Sequence, residues 1–192
     1  MTVSSVFLKI LSVLLIVFTS ACVPEKVSST FIGDGSSGGW TRSPSGWESS
    51  RLKTPDAARS IQGFWAPGGS PDKVLVPSDV LSGILQSQSI PRDREDLFEV
   101  AAVGVVFPDY NAALQSVATE LYRDTQVIDG LRYIRLSFKA KINSADIVVE
   151  QISVTDKSNG KVQSIAVGCS PLCFNKEIST IKSILNSWKA DI

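Results

Sequence analysis

Two cysteines four residues apart, Cys169 and Cys173 in the stretch GCSPLCF, are the side chains with the clearest chemistry in this chain. Their thiols could form a disulfide, act as a redox pair or bind a metal ion. A redox pair is normally C-x-x-C rather than C-x-x-x-C, and two thiolates without histidine make an incomplete metal site. The sequence therefore favours a structural disulfide that closes a small loop at Pro171, with two free thiols as the next alternative.

The third cysteine, Cys22, follows an apolar run and then the small residues at 19–21. The run Ile10–Phe18 is shorter than the roughly 20 apolar residues that span a bilayer, but it has the length of a signal-peptide core. The arrangement is similar to a bacterial lipoprotein box, although Thr19 stands where leucine is usual. It predicts a signal peptide over residues 1–21 and a lipid on Cys22. The alternatives are a cleaved signal without a lipid and an uncleaved anchor.

The chain contains no histidine, which restricts the chemistry available to it. Ser-His-Asp and Cys-His catalytic arrangements are excluded, and so is the commonest ligand of transition metals. The sequence has no nucleophile elbow, P-loop or dinucleotide-binding fingerprint. It therefore predicts a protein that is not an enzyme and has no cofactor, and it leaves metal binding unknown. A hydrolase or redox protein with unfamiliar motifs, using Cys169 and Cys173, is the enzymatic alternative.

Charge also limits the possible partners. The 19 basic and 19 acidic residues balance, so the chain has no basic excess to attract a phosphate backbone. The sequence predicts that the protein does not bind nucleic acid.

Composition divides the exported part of the chain in two. Residues 22–50 are rich in Gly and Ser, which predicts a flexible tether carrying two isolated tryptophans, Trp40 and Trp47. The tryptophans could dock on the domain or on lipid, or Trp47 could begin the folded part. The remaining residues, 51–192, suffice for a single domain with its own core.

The clearest periodicity is that of three successive antiparallel strands in the C-terminal half. Apolar and polar residues alternate over 133–142, which predicts a strand with one exposed face after a turn at Asp129-Gly130. DIVVEQISVT and KVQSIAVG predict two further strands, and Asn159-Gly160 between them is the favoured signal of a two-residue hairpin. The buried face of the first strand would consist of Ile134, Leu136, Phe138, Ala140 and Ile142.

Helices are predicted on both sides of these strands in sequence. A last helix would begin at Asn175, as its cap, and lay an apolar side on the sheet. Upstream, LFEVAAVGVVF predicts a buried strand, and a helix capped by Asp109 would follow and continue to Tyr122. KVLVPSDVLSGIL predicts a short strand and then a turn or a short helix capped by Ser78. Together these elements predict an α+β fold, an antiparallel sheet covered by helices in an α/β/α sandwich. The apolar side of the last helix would consist of Ile178, Ile181, Ile184, Leu185 and Trp188.

The C-terminal half resembles the PsbP family, the extrinsic lumenal proteins of photosystem II. DGLRYIRLSF and DIVVEQISVTDKSNGKVQSIAV are similar to a strand and a hairpin of that family, and ISTIKSILNSW is similar to its final helix. The resemblance runs from about Asp129 to Trp188, and SPSGW at 43–47 resembles the end of the family's opening motif. The family's tryptophan before the last helix is replaced here by the segment 169–173.

The resemblance implies a PsbP-like fold and a non-enzymatic protein that is tethered to a thylakoid membrane and faces the lumen. Its role would be the assembly or stabilisation of photosystem II, and cyanobacterial members of the family are lipoproteins, which agrees with Cys22. Residues for docking on photosystem II subunits would be Arg135, Lys139 and Lys141 on an exposed strand face, although such side chains are usually just solvated. The alternative is a general bacterial envelope lipoprotein that binds a small ligand or a protein partner.

Overall fold

A computed structural model of the chain describes residues 29–54, 57–104, 118–142 and 144–192. The strands are β1 (Ser29–Gly33), β2 (Trp40–Pro44), β3 (Glu48–Leu52), β4 (Arg59–Trp65), β5 (Ser82–Ser89), β6 (Thr119–Ile128), β7 (Leu131–Ile142), β8 (Ala145–Asp156) and β9 (Lys161–Cys169). The helices are α1 (Glu95–Val103), α2 (Pro171–Lys176) and α3 (Ile178–Ser187), with a 3₁₀ turn at Pro71–Lys73.

Seven strands form one antiparallel sheet in the order β3-β4-β5-β9-β8-β7-β6. Strand β9 lies between β5 and β8 and so joins the N-terminal strands to the C-terminal meander. Strands β1 and β2 form a separate hairpin in which Ser29 lies opposite Pro44 and Gly33 opposite Trp40.

Helices cover both faces of the seven-stranded sheet, as the sequence predicts. One face, which we call the helical face, carries α2, α3 and the β1–β2 hairpin, and the other carries α1 and the loop that precedes β5. Burial on both faces gives the α/β/α sandwich its two layers of core. The core of the helical face includes Phe64, Leu85, Ile165, Val167, Ile181 and Leu185. The core of the other face includes Ile61, Leu75, Ile84, Phe98, Ile134 and Val149.

The first strand of the C-terminal meander agrees with its prediction. Strand β7 buries the five apolar residues predicted for its inner face and leaves most of the alternate residues partly exposed. Asp129 and Gly130 form a two-residue turn into β7, and both have positive φ, 51° and 79°. Positive φ at both positions is what a type I′ hairpin turn requires.

The loop between β8 and β9 is four residues long, because the two strands pair only as far as Asp156. The prediction of a two-residue turn at Asn159-Gly160 is therefore wrong. The buried Asp156 carboxylate accounts for the longer loop, since it accepts bonds from the Ser158 hydroxyl (2.5 Å) and the Asn159 amide (2.6 Å). The Ser158 bond is the main cause that holds the pKa of Asp156 below its ordinary value, against the opposing effect of burial.

The stretch LFEVAAVGVVF contributes to a helix where the sequence predicts a strand, since α1 spans Glu95–Val103. Phe98, Ala101 and Ala102 are its buried residues, at the spacing i, i+3 and i+4 of a helix face. This face packs against Ile134, Leu136 and Val162, and such tertiary packing outweighs the local β preference of the valines. The Gln151 side chain in β8 donates to the Ala102 carbonyl (2.9 Å) and so satisfies one acceptor of the last turn.

The predicted helix that ends at Tyr122 is wrong at its C-terminal end, because Leu121 and Tyr122 lie in β6. Its proposed cap, Asp109, belongs to residues 105–117, which lie outside the described ranges. Apolar residues at helical spacing thus extend into β6, where Leu121 and Tyr122 are exposed. Periodicity alone does not show where a helical pattern gives way to a strand.

Two predicted helix caps are also corrected. Ser78 does not cap a helix, because its hydroxyl bonds to the backbone of Val80 in the loop before β5. The residues after this loop form strand β5 and not the predicted turn or short helix. Asn175 lies inside α2, and Ser170 caps that helix by accepting from the Cys173 N–H (3.4 Å). The C-terminal helical region is thus divided, and α3 begins at Ile178.

Residues 29–50, which the composition assigns to a tether, are folded. Ile32 is 3% exposed in the core of the helical face, and β3 forms one edge of the sheet. Residues 22–28 lie outside the described ranges. The domain therefore begins by Ser29 rather than at residue 51.

The loop between β1 and β2 explains the glycines that suggested a tether. Gly38 and Gly39 have positive φ, 107° and 87°. A Cβ on Gly38 would lie 2.2 Å from the Gln86 carbonyl oxygen, and one on Gly39 would lie 2.0 Å from that of Lys189. The Gly38 carbonyl accepts a bond from the Trp188 indole (2.9 Å). These glycines allow the loop to lie between the sheet and the C-terminal segment.

We expect Trp188→Ala to lower the free energy of unfolding by about 3 to 5 kcal/mol, because the buried ring leaves a cavity. Trp188→Phe should cost about 1 to 3 kcal/mol, since it leaves the Gly38 carbonyl buried without its donor. Chemical denaturation measures both changes. A loss below about 1 kcal/mol for Trp188→Ala would mean that the ring does not hold the loop in place.

We expect Asp156→Asn to remove part of the acid sensitivity of the fold. Because the folded pKa of Asp156 is below its unfolded value of about 3.9, its carboxylate stabilises the protein fully above that value. The stabilisation is lost as the pH falls through the folded pKa, so wild type should lose more stability than the variant on acidification from pH 7.

Urea unfolding over a series of pH values measures this difference. The exposed Asp93→Asn serves as the matched control and should keep the wild-type pH dependence. An equal loss of stability on acidification in wild type and in Asp156→Asn would contradict the role given to Asp156.

Candidate functional site

A cleft opens at one end of the sheet, where β4 ends and β3 and β5 begin, beside the end of β2 in the separate hairpin. Its volume is about 350 Å³, within the range of small-ligand sites. We call it the end cleft. Four segments line it: Pro44 and Trp47 at the β2–β3 turn, Ala66 and Pro67 after β4, residues 79–81 before β5, and Glu177 and Thr180 at the start of α3.

Trp47 provides the aromatic surface of the end cleft. Gly46, with φ of 81°, makes the tight turn that places Trp47 directly before β3. The Trp47 ring packs against Phe64 in the core, with centroids 5.9 Å apart and planes inclined by 36°. Trp47 is partly exposed, so this core contact holds the indole in place while part of it remains open to the cleft.

Two carboxylates give the end cleft a negative rim. Asp79 is exposed and accepts a bond from the Ser170 hydroxyl (2.8 Å), and Glu177 accepts one from Thr180 (3.1 Å). Lys176 reaches Glu177 at 3.8 Å from a largely exposed side chain, which makes a weak ion pair. No lysine or arginine is among the described residues that line the cleft. The cleft therefore suits a positively charged group.

The cysteine pair lies beside the end cleft. The Sγ atoms of Cys169 and Cys173 are 2.06 Å apart, the distance of a disulfide bond, and both residues are buried. The Ser170 N–H donates to the Ser78 carbonyl (2.8 Å), and its hydroxyl donates to Asp79. The pair thus stiffens the corner between β9 and α2 that positions the Asp79 carboxylate.

The three basic residues predicted for docking lie on the helical face of β7 and are not grouped with the end cleft. Arg135 donates to the mostly buried Glu150 (2.7 Å from Nε), and Lys139 lies 2.7 Å from Asp146. Lys141 is exposed. Two of the three cations therefore have acidic partners within the domain, and their role in docking stays a prediction.

The remaining sequence predictions about the site concern metals and the membrane. Nowhere in the described ranges do three His, Cys, Asp or Glu side chains gather in a way that could hold a metal ion. Among the helices that the structure describes, none has the length and apolar character to cross a membrane. Cys22 and the predicted signal peptide lie outside those ranges, so lipidation stays a prediction.

Sequence reasoning did not find the end cleft. Its charged residues, Asp79 and Glu177, are almost 100 positions apart, and no periodicity connects them. The one available signal was SPSGW, in which a glycine turn precedes Trp47 in a segment otherwise poor in apolar residues. A tryptophan in such a place indicates either an anchor or the start of the fold, and here Trp47 directly precedes β3 and lines the cleft.

No protein-family profile and no curated protein sequence matches the chain. Among solved structures, the cyanobacterial PsbP of Synechocystis sp. PCC 6803 matches with a TM-score of 0.56 and 17% identity, over 90% of this chain and 98% of that one. The chain has a PsbP-like fold.

Two other solved structures are similar at lower scores. LpqN, involved in cell envelope biogenesis of Mycobacterium tuberculosis, matches with a TM-score of 0.42 and 13% identity, over 84% of this chain and 89% of that one. A protein of unknown function from Pseudomonas aeruginosa, a putative regulator, matches with a TM-score of 0.44 and 14% identity, over 80% and 91%. Neither adds to the assignment of the PsbP-like fold.

The likeness to cyanobacterial PsbP extends what the sequence indicated. The resemblance in sequence covers residues from about 129 to 188, whereas the structural match covers 90% of the chain. At 17% identity this match establishes the fold and not the activity.

We expect Cys169 and Cys173 to resist alkylation in the unfolded protein until a reductant is added, and intact-mass spectrometry detects the difference. Replacing both cysteines by alanine should lower the free energy of unfolding by about 2 kcal/mol, a modest value because the closed loop is short. Free alkylation of both thiols without reductant would contradict the disulfide.

Proposed function

We propose that this is a non-enzymatic accessory protein, exported and held at a membrane by a lipid on Cys22, that assembles or stabilises photosystem II on the lumenal side. The observation that carries the proposal is the match to cyanobacterial PsbP over 90% of the chain. The sequence resemblance to the PsbP family in the C-terminal half supports it independently, because it rests on residues rather than on backbone shape.

The end cleft is the surface that we assign to partner binding. A guanidinium or ammonium group on an aliphatic stem matches its chemistry, since the Trp47 indole lines the cleft and aromatic rings attract cations. The carboxylates of Asp79 and Glu177 can each form a charge-assisted hydrogen bond with such a group. We therefore expect a membrane-complex subunit to insert an arginine or lysine side chain here.

The start of β1 lies beside the end cleft, which agrees with this assignment. Ser29, the first described residue, lies opposite Pro44, which lines the end cleft. A chain anchored at Cys22 would enter the domain beside the cleft. The cleft would then lie at the end of the domain nearest the membrane, where subunits of a membrane complex are within reach.

Affinity purification from mildly solubilised membranes tests the proposal. The tagged full-length chain should recover photosystem II subunits, identified by mass spectrometry, and its intact mass should show a lipid on Cys22. The pair Asp79→Asn and Glu177→Gln should reduce the recovered subunits at least about tenfold, because two charge-assisted bonds are lost.

A matched control removes the same charge elsewhere. Asp93→Asn with Asp129→Asn alters two exposed carboxylates outside the end cleft and should leave recovery unchanged. Equal recovery by the cleft variant and the control would remove the end cleft from the proposal. A lipidated chain that recovers no photosystem II subunit would overturn the photosystem role.

A second candidate is a bacterial envelope lipoprotein that binds a small cationic ligand. The observation that favours it is the volume of the end cleft, about 350 Å³, which a free amine with an apolar body could occupy without a protein partner. Saturable quenching of tryptophan fluorescence by such an amine, abolished by Trp47→Leu, would support this candidate.

A further inference from the structure

The outer face of the β1–β2 hairpin exposes two aromatic rings and a cation. Phe31 is 59% exposed and Trp40 36% exposed, and their ring centroids lie 5.2 Å apart in an edge-on arrangement. The Arg42 guanidinium carbon lies 5.1 Å from the centre of the Phe31 ring. Lys189, also exposed, pairs by its backbone with Trp40. These four residues, Phe31, Trp40, Arg42 and Lys189, are the hairpin patch.

The hairpin patch is rigidly supported from its inner face. Thr41, which is fully buried, donates to the Ile184 carbonyl at the end of α3 (2.7 Å). The Ser187 hydroxyl lies 2.8 Å from the Thr41 hydroxyl and accepts from the Arg42 N–H (2.9 Å). Ile32 is buried in the core between the exposed residues of β1. The rings are therefore exposed on a fixed surface and not on a frayed end.

The charge of the hairpin patch is positive. In the described part of the chain, neither Arg42 nor Lys189 has a carboxylate within ion-pair distance. Exposed aromatic rings beside unpaired cations match the headgroup region of a bilayer, where rings lie at the boundary and cations attract anionic lipids.

The length of chain before the hairpin brings the hairpin patch close to a membrane. Ser29 follows Cys22 by seven residues, and a fully extended segment of that length spans at most about 25 Å. Phe31 follows two residues later. The apolar run Ile10–Phe18 also lies shortly before the hairpin in the sequence. If that run were kept as an anchor instead of being cleaved, it too would hold the hairpin at a membrane.

We infer that the hairpin patch lies on the surface of an anionic bilayer and binds it directly, in addition to the anchor. A basic aromatic surface would add to the attachment given by the anchor and would fix which side of the domain faces the bilayer, because rings lie at the headgroup boundary and cations attract anionic lipids. The inference depends on the proposed membrane attachment, but it does not depend on the identity of any protein partner.

Vesicle sedimentation of a chain without a lipid tests this inference. The protein would be residues 22–192 with Cys22→Ser, which contains every described element. It should bind vesicles of mixed phosphatidylglycerol and phosphatidylcholine and bind far less to phosphatidylcholine alone. Trp40 fluorescence should be quenched by brominated lipid, and Trp40→Phe should remove most of that quenching, although three other tryptophans remain.

Two sets of variants separate the contributions of the rings and the charges. Phe31→Ser with Trp40→Ser should weaken binding at least about tenfold, while Val127→Ser with Leu172→Ser, which are exposed elsewhere, should leave it within about twofold. Arg42→Ser should weaken binding to anionic vesicles about fivefold, and Lys182→Ser on the exposed side of α3 should not. Thermal unfolding confirms that each variant is folded.

The outcomes are distinct from those of the affinity purification. Absence of vesicle binding by the parent chain, or equal binding by the Phe31→Ser, Trp40→Ser variant and its control, would overturn the lipid contact. Vesicle binding without recovery of photosystem II subunits would support the hairpin patch while the proposed function fails. Cross-linking of the patch to a membrane protein in the absence of vesicle binding would assign it to a protein and overturn the inference.

Discussion

The C-terminal end of α3 fixes the N-terminal hairpin to the rest of the domain, and both surfaces that we consider functional depend on that contact. The hairpin is not part of the seven-stranded sheet, so sheet hydrogen bonds do not hold it. It is held instead by Thr41 on the Ile184 carbonyl, by Trp40 on the Lys189 backbone and by the Trp188 indole on Gly38.

The bond from Thr41 to Ile184 has its physical reason in the end of α3. The last four carbonyl groups of a helix lack donors within the helix and need hydrogen-bond donors from elsewhere. The hairpin supplies the buried Thr41 hydroxyl to one of them, and the chain beyond α3 continues the pairing with β2. Satisfying the helix end therefore also places Pro44 at the end cleft and Phe31 on the outer surface.

The sequence predicted best the elements whose burial follows a simple alternation. Strand β7 has one buried residue in two, and Asp129-Gly130 is a turn in which both residues tolerate positive φ, so local rules suffice. The sequence predicts a strand where α1 lies, because a short run of Val and Ala is compatible with a buried strand as well as with a helix. The Asp156 carboxylate enlarged a loop that Asn159-Gly160 alone would have made shorter.

The candidate surfaces were harder to predict because they depend on contacts between distant parts of the chain. The Gly/Ser content of residues 29–50 is typical of a linker, yet Gly38 and Gly39 are needed where the chain passes within contact distance of Gln86 and Lys189. Asp79 and Glu177 meet at one cleft only through the order of the strands. By contrast, the resemblance of the C-terminal half to PsbP indicated the fold correctly from local patterns alone.

The contacts that hold the hairpin join residues 143 to 150 positions apart, which has a consequence for biogenesis. Contacts of such long range form late, because the loop between them must first close. The hairpin belongs to the part of the chain that is synthesised first, but its partners in and after α3 are synthesised last. The N-terminal hairpin must therefore stay undocked until the last residues of the chain have been synthesised.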